Sequence, residues 1–198
     1  MKEITNDISL NIDFALYNYL GEDIKIFNKF EDSFVFGGFT RDAIVGDKIN
    51  DLDMVCSVDD AVQISFLLEK NKWFYNGAFA GKEKYKTLKE KFGAIAKKYK
   101  NFLCEVYSFT KKDKEIQLII PNRYVFKGQV IDFVKSVDMT ASSVAYNIQH
   151  NYCAEMMDGA LKDILNKDIK IIDENLNRGS TIAEERIQKL IKKGWSLR

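Results

Sequence analysis

Apolar residues recur along this chain in two rhythms. From Asp7 to Leu20 they fall at Ile8, Ile12, Ala15, Leu16 and Tyr19, the spacing of one helix face, and Gly21 is placed to end it. Ser33-Phe34-Val35-Phe36 is a short apolar run closed by Gly37-Gly38, which predicts a buried strand. A short helix is predicted over Thr40 to Val45, stopped by Gly46, and a second strand over Leu52 to Cys56. Asp59 to Leu68 returns to helical spacing, with Ala61, Ile64, Leu67 and Leu68 on one face. Phe102 to Phe109 and Glu115 to Ile120 read as strands joined by the charged turn Thr110 to Lys114, which predicts a hairpin. Ser180 to Trp195 carries Ile182, Ile187, Leu190 and Ile191 at helical spacing. Helix and strand signals mix along the chain, so the class is α/β or α+β.

Between Lys82 and Lys100 the apolar positions Tyr85, Leu88, Phe92, Ile95 and Tyr99 predict an amphipathic helix. Lysines 82, 84, 86, 89, 91, 97, 98 and 100 fill the rest, against only Glu83 and Glu90. Two readings fit: a solvated helix face, or a surface for phosphate backbones.

Composition narrows the class. The 198 residues allow one domain, or one with a small appendage, and a 46% hydrophobic content supplies a core. The net charge of +1 excludes a global electrostatic grip on nucleic acid, so any polyanion must be held by a local patch. No apolar run approaches the roughly 20 residues that cross a bilayer. The N-terminal residues show no signal peptide pattern. Cys56, Cys104 and Cys153 are odd in number, far apart and set in apolar stretches, as expected of buried thiols in a reducing cytoplasm. Trp73, Phe74 and Tyr75 read as core rather than as a base-stacking platform, and His150 as a surface residue.

The chemistry concentrates in Phe34 to Gly46 and in Asp51-Leu52-Asp53. A strand runs into two glycines, which permit a tight turn and close approach of a ligand to the backbone. The helix that follows aims its free N–H groups and positive dipole end at that turn. Arg41 stands in the first helical turn, ready to add a charged fork for phosphate. Asp42 reads as structural, holding Arg41. Asp51 and Asp53 are two apart on a predicted strand, so both side chains leave one face. Two carboxylates beside a phosphate cradle suit a pair of Mg²⁺ ions.

Gly37, Gly38, Arg41, Asp42, Gly46, Asp51 and Asp53 together resemble the signature Gly-Gly-x-x-Arg-Asp, small helix, Gly, Asp-x-Asp of class II CCA-adding enzymes and bacterial poly(A) polymerases. These are polymerase-β-like nucleotidyltransferases. Asp138 to Asn147 is similar to the family's Arg-Arg-Asp-Phe-Thr-x-Asn-x-x-Ala-Tyr-Asn segment, and Asp158 to Ile164 to its Gly-x-x-Asp-Leu helix start. Arg186-Ile187-Gln188-Lys189 with Lys193-Gly194-Trp195 looks like the first neck helix. The resemblance implies an α+β head domain with a mixed, mainly antiparallel sheet flanked by helices. It places the head domain with its N-terminal helix at residues 1–178 and a neck-like helix at 179–198. The family's neck, body and tail domains, which hold tRNA, would begin where this chain ends.

The departures are specific. The family's paired arginines fall on Ser136 and Val137, and its Asn on Ser142. A third metal carboxylate falls by pattern on Gln117, with Glu115 on the same face two residues earlier; either Glu115 serves or two carboxylates suffice. The neck's Glu-Asp-x-x-Arg is matched only by Glu184, Glu185 and Arg186 at a different spacing.

The resemblance thus implies a cytoplasmic enzyme that moves a nucleoside monophosphate from an NTP, ATP or CTP, to a hydroxyl. RNA is the favoured acceptor, gripped through Lys89, Lys91, Lys97 and Lys98. Asp51 and Asp53 hold two Mg²⁺, which Mn²⁺ can replace, with Glu115 as the third catalytic acid; Gly37, Gly38, Arg41, Asp138 and Arg186 bind the nucleotide. The alternatives are a nucleotide- or RNA-binding module without turnover, and transfer to a protein or small molecule.

Overall fold

The computed structural model describes residues 2–4, 6–80, 83–85, 104–122, 126–172 and 183–198. One sheet organises them. Its strands, numbered in chain order, are β1 (Lys2–Glu3), β2 (Ser33–Phe36), β3 (Leu52–Cys56), β4 (Phe74–Ala80), β5 (Glu83–Tyr85), β6 (Cys104–Lys111), β7 (Lys114–Pro121), β8 (Val144–Asn147) and β9 (Tyr152–Glu155). They run in the spatial order β1-β9-β8-β2-β3-β7-β6-β4-β5. Every neighbouring pair is antiparallel except β3 and β7, which run parallel. The mixed, mainly antiparallel α+β arrangement expected from the sequence is therefore present.

Alternation along the central strands divides the molecule into two layers. Val35, Leu52, Met54, Ile116 and Leu118 point to one face and are fully buried. That face carries all five described helices: α1 (Asn6–Leu20), α2 (Gly38–Val45), α3 (Val58–Lys70), α4 (Ala160–Leu165) and α5 (Ala183–Lys192). Ile12, Leu16, Phe39, Ile64, Leu68, Ile164 and Leu190 are their buried contributions. Phe36, Val55 and Ile119 point the other way, under the 3-10 segment Val130–Ser136 with its Ile131, Phe133 and Val134. Asp53 lies between Leu52 and Met54 and so belongs to this second, thinly covered face.

Local chemistry explains the boundaries. Ser57 caps α3, its hydroxyl accepting from the Asp60 amide at 3.1 Å, with Asp59 and Asp60 in the first turn. The β6–β7 hairpin turns at Lys112 with φ +58°. The C-terminal segment is tied to the rest: β11 (Ser196–Leu197) pairs in parallel with β10 (Asp168–Ile169), and Trp195 is buried in the helix-covered core. The helix predicted from Lys82 is corrected at its start. Glu83–Tyr85 is strand β5, paired with Ala78–Ala80 of β4, because ladder hydrogen bonding overrides a helical apolar spacing there. The remainder of that segment, with Lys89, Lys91, Lys97 and Lys98, lies outside the described residues.

Candidate active site

The turn between β2 and α2 takes a form that only glycine adopts without strain. Gly37 has φ +73° and ψ −132°, directly before the helix. Gly46 closes α2 in the left-handed region at φ +71°, its N–H donating to the Asp42 carbonyl. Thr40, fully buried, brings its hydroxyl within 3.3 Å of the Gly37 carbonyl and 3.0 Å of the Val144 carbonyl, fastening the turn to β8.

Around that turn stand an anion and a cation. A Cβ on Gly37 would meet the Asp53 carboxylate oxygen at 3.4 Å, and one on Gly38 the terminal Nη2 of Arg41 at 3.5 Å. The two glycines keep this space open between them.

The acids come from two neighbouring strands, β3 and β7. Phe36, Asp53, Gln117 and Ser108 are successive partners across β2, β3, β7 and β6, so they form one row on one face. Asp51 sits one residue before β3, and Glu115 two residues before Gln117 on β7. Glu115 Oε1 accepts from the Ser108 hydroxyl at 2.7 Å and from Gln117 Nε2 at 3.2 Å. Gln117 is thus a hydrogen-bond partner of Glu115. Burial, then Asp51, push the Asp53 carboxyl up from its ordinary 3.8 to about 7, with Glu115 adding to the effect and Arg186 and Arg41 opposing it. Burial, then Glu115 and Asp42, raise Asp51 too. Oxygen donors whose ionisation is opposed by burial and by one another fit a hard divalent cation, whose charge would offset both effects. Among the described residues no three His, Cys, Asp or Glu side chains are clustered as a preformed metal cage.

The cations come from two ends of the chain. Arg41 Nε donates to Asp42 Oδ1 at 2.8 Å, and its guanidinium carbon lies 5.5 Å from the centre of the Trp195 ring. Lys193 Nζ donates to the other oxygen of Asp42 at 2.6 Å. Asp42 is thus a structural anchor for cations, as the sequence reading expects. Arg186 Nη1 reaches both oxygens of buried Asp138, at 3.1 and 3.2 Å. Two residues singled out separately as nucleotide ligands therefore form one ion pair.

Three contributors had no functional signal in the sequence. Tyr19 reads there as one more apolar helix position. Its hydroxyl lies 2.9 Å from both the Glu115 amide and carbonyl and 3.2 Å from the Asn50 carbonyl, joining the entries to β7 and β3. Burial leads in raising its pKa to about 12, so it stays a neutral phenol. Lys193 and Trp195 entered only as part of a neck-like stretch. Of the aromatic run, Trp73 is buried with its indole N–H on Asp23 at 2.9 Å, while Phe74 is exposed. His150 is exposed, as expected. Cys56 and Cys153 are buried free thiols, and Cys104 is half-buried. No helix among the described residues is long and apolar enough to cross a membrane.

Comparison with known proteins agrees with this fold. The family model for the Poly A polymerase head domain matches residues 33–170. No curated protein sequence matches. Among solved structures, a CCA-adding enzyme with ATP superposes with a TM-score of 0.58 at 14% identity, covering 94% of this chain and 42% of that one. An apo form of a CCA-adding enzyme gives 0.57 at 16% identity, covering 94% and 42%. The Thermotoga maritima CCA-adding enzyme complexed with tRNA gives 0.54 at 14% identity, covering 92% and 45%. The chain spans less than half the length of these structures. At such identities they show a shared fold.

Proposed function

The chain belongs to the Poly A polymerase head domain family, and on that premise we propose that it is a nucleotidyltransferase that moves a nucleoside monophosphate from an NTP to a hydroxyl. The observation that carries this reading is the Gly37-Gly38 turn opening between the Asp53 carboxylate and Arg41, with Asp51 and Glu115 alongside. The acceptor oxygen attacks the α-phosphorus, the bond to the β-phosphate oxygen breaks, and pyrophosphate leaves with that electron pair. When bound, Mg²⁺ supplies neutralisation of the phosphate charge and acidifies the attacking hydroxyl. Asp51 and Asp53 are the ligands we assign to two such ions, with Mn²⁺ as a substitute and Glu115 as the third acid. The glycines admit the phosphates to the backbone, Arg41 supplies a charged donor, and Asp138 with Arg186 borders the nucleoside. The chemistry needs no covalent intermediate, because positioning and charge neutralisation suffice.

ATP and CTP are the NTPs we propose, since solved structures of the same fold hold each of them. RNA is the acceptor we propose, since the Thermotoga maritima enzyme is complexed with tRNA. Lys89, Lys91, Lys97 and Lys98 are the assigned RNA contacts. A second reading, a binding module without turnover, draws on Ser136 and Val137 at the family's arginine positions. Incubation with each labelled NTP, Mg²⁺ and total RNA decides between them. Label carried to RNA 3′ ends, and lost in Asp53→Asn, supports transfer. Nucleotide bound at equilibrium with no label transferred to any acceptor supports the binding module.

A further inference from the structure

The C-terminal segment meets Arg41, beside the Gly37-Gly38 turn, with an aromatic face. Arg41 is held at three points. Its Nε is bonded to Asp42 Oδ1, its Nη2 lies beside Gly38, and its guanidinium carbon stands 5.5 Å from the Trp195 ring centre. The Arg41 side chain keeps only 12% of its surface exposed. An ion pair through Nε restrains the stem of a guanidinium but leaves its far end to swing. An aromatic surface beside the group restrains that swing and leaves its terminal N–H groups in plane for an anion.

Trp195 is itself fixed. It is buried, its amide donates to the Leu190 carbonyl at 3.1 Å, and its indole N–H points at Asp47 Oδ2 at 3.5 Å. Gly194, at φ +84°, makes the turn that brings the ring back from the end of α5. Lys193, on the other side of that glycine, occupies the Asp42 oxygen that Arg41 does not use. Asp42 thus takes Arg41 through Nε on one oxygen and Lys193 on the other.

We propose that Trp195 is a positioning residue for the nucleotide's phosphates, acting by holding the Arg41 guanidinium beside the Gly37-Gly38 turn. This rests on the nucleotidyltransferase reading and deepens it. The C-terminal turn, remote in sequence from the signature motif, becomes part of the triphosphate site.

The test is equilibrium binding of ATP and of inorganic tripolyphosphate, without acceptor. Trp195→Leu keeps an apolar side chain and removes the ring; Trp195→Phe keeps a ring. A cation–aromatic contact of this partly buried kind corresponds to roughly a three- to tenfold loss of affinity for both ligands in Trp195→Leu. Trp195→Phe should recover most of it. Trp fluorescence adds a readout that a merely structural role would not move. Wild-type protein should change emission on tripolyphosphate, and Trp195→Phe should lose that change, since Trp73 is the only other tryptophan. Wild-type affinity in Trp195→Leu, with or without a lowered melting temperature, would overturn the proposal. If Trp195→Leu does not fold, emission that ignores tripolyphosphate in wild type overturns it. Wild-type protein that binds neither ligand would instead sink the nucleotidyltransferase reading, and the proposal with it.

Discussion

Two regions border the Gly37-Gly38 turn and handle charge in opposite ways. Along β3 and β7 stand Asp51, Asp53 and Glu115, and each of the two aspartates is made harder to ionise by burial first and by its acidic neighbours second. On the C-terminal segment from Ala183 onward, cations meet carboxylates: Arg186 with Asp138, Lys193 with Asp42, Arg198 with Asp168. In the first region burial and neighbouring acids favour the protonated carboxyl. The second is built like an ordinary interface. The difference is that the acids oppose one another's ionisation, while the cations of the segment are each paired within the chain.

The comparison breaks most visibly at the acids. Asp51→Asn and Asp53→Asn should each lower nucleotide transfer by about a thousandfold or more, because several kcal/mol of transition-state stabilisation goes with each ligand. Both variants should melt no lower than wild type in chelator, since like-charge repulsion is relieved. Near-normal transfer by the double variant would remove the mechanism.

Acidity sharpens it next. Asp53 holds its proton more tightly folded than unfolded, so its contribution to stability is greatest in acid and falls as pH rises towards about 7. Between pH 5 and 8, without divalent metal, wild type should lose roughly 3 kcal/mol relative to Asp53→Asn in urea unfolding. Added Mg²⁺ should restore wild type at pH 8 and do little at pH 5. A wild-type curve parallel to that of the variant would show that Asp53 titrates normally.

Within the acid region, Glu115→Gln should impair transfer more than Gln117→Ala. An order of magnitude for the first corresponds to about 1.4 kcal/mol of barrier. Only Glu115 carries charge; Gln117 supports it through one hydrogen bond. Equal rates for Glu115→Gln and wild type would mean that two carboxylates suffice.

The smallest effect belongs to the paired region. Lys193→Met should cost about 1 kcal/mol in chemical denaturation, because Asp42 keeps Arg41 after the lysine is lost. Its melting curve should show no Mg²⁺ dependence beyond that of wild type.

How much of this was legible in the sequence follows from how local each cause is. β2 and β3 have the expected ends, because glycines and apolar runs act within a few residues. The Gly37, Gly38, Arg41 and Asp53 grouping follows from one strand–turn–helix unit and could be read directly. Asp51 stands one residue before the predicted and observed start of β3. The segment from Lys82 misled because Tyr85 and Leu88 fit a helix face, whereas β5 exists only through its partner β4. Tyr19 and Trp195 could not be read as site residues. Their contacts, with the Asn50 and Glu115 carbonyls and with the Arg41 guanidinium, join residues distant in sequence, and a local pattern does not record them.

The single parallel pair in the sheet has a consequence for how the protein comes into being. Asp53 and Gln117 become neighbours only after α3, β4 and the β6–β7 hairpin have been made, since β7 must return alongside β3. The hairpins are local and close early; this pairing is not and closes late. During synthesis the glycine turn and Asp53 leave the ribosome well before the strand that completes their row. A nascent chain thus carries the glycine turn and Asp53 well before Gln117 and Glu115 can join them on the sheet.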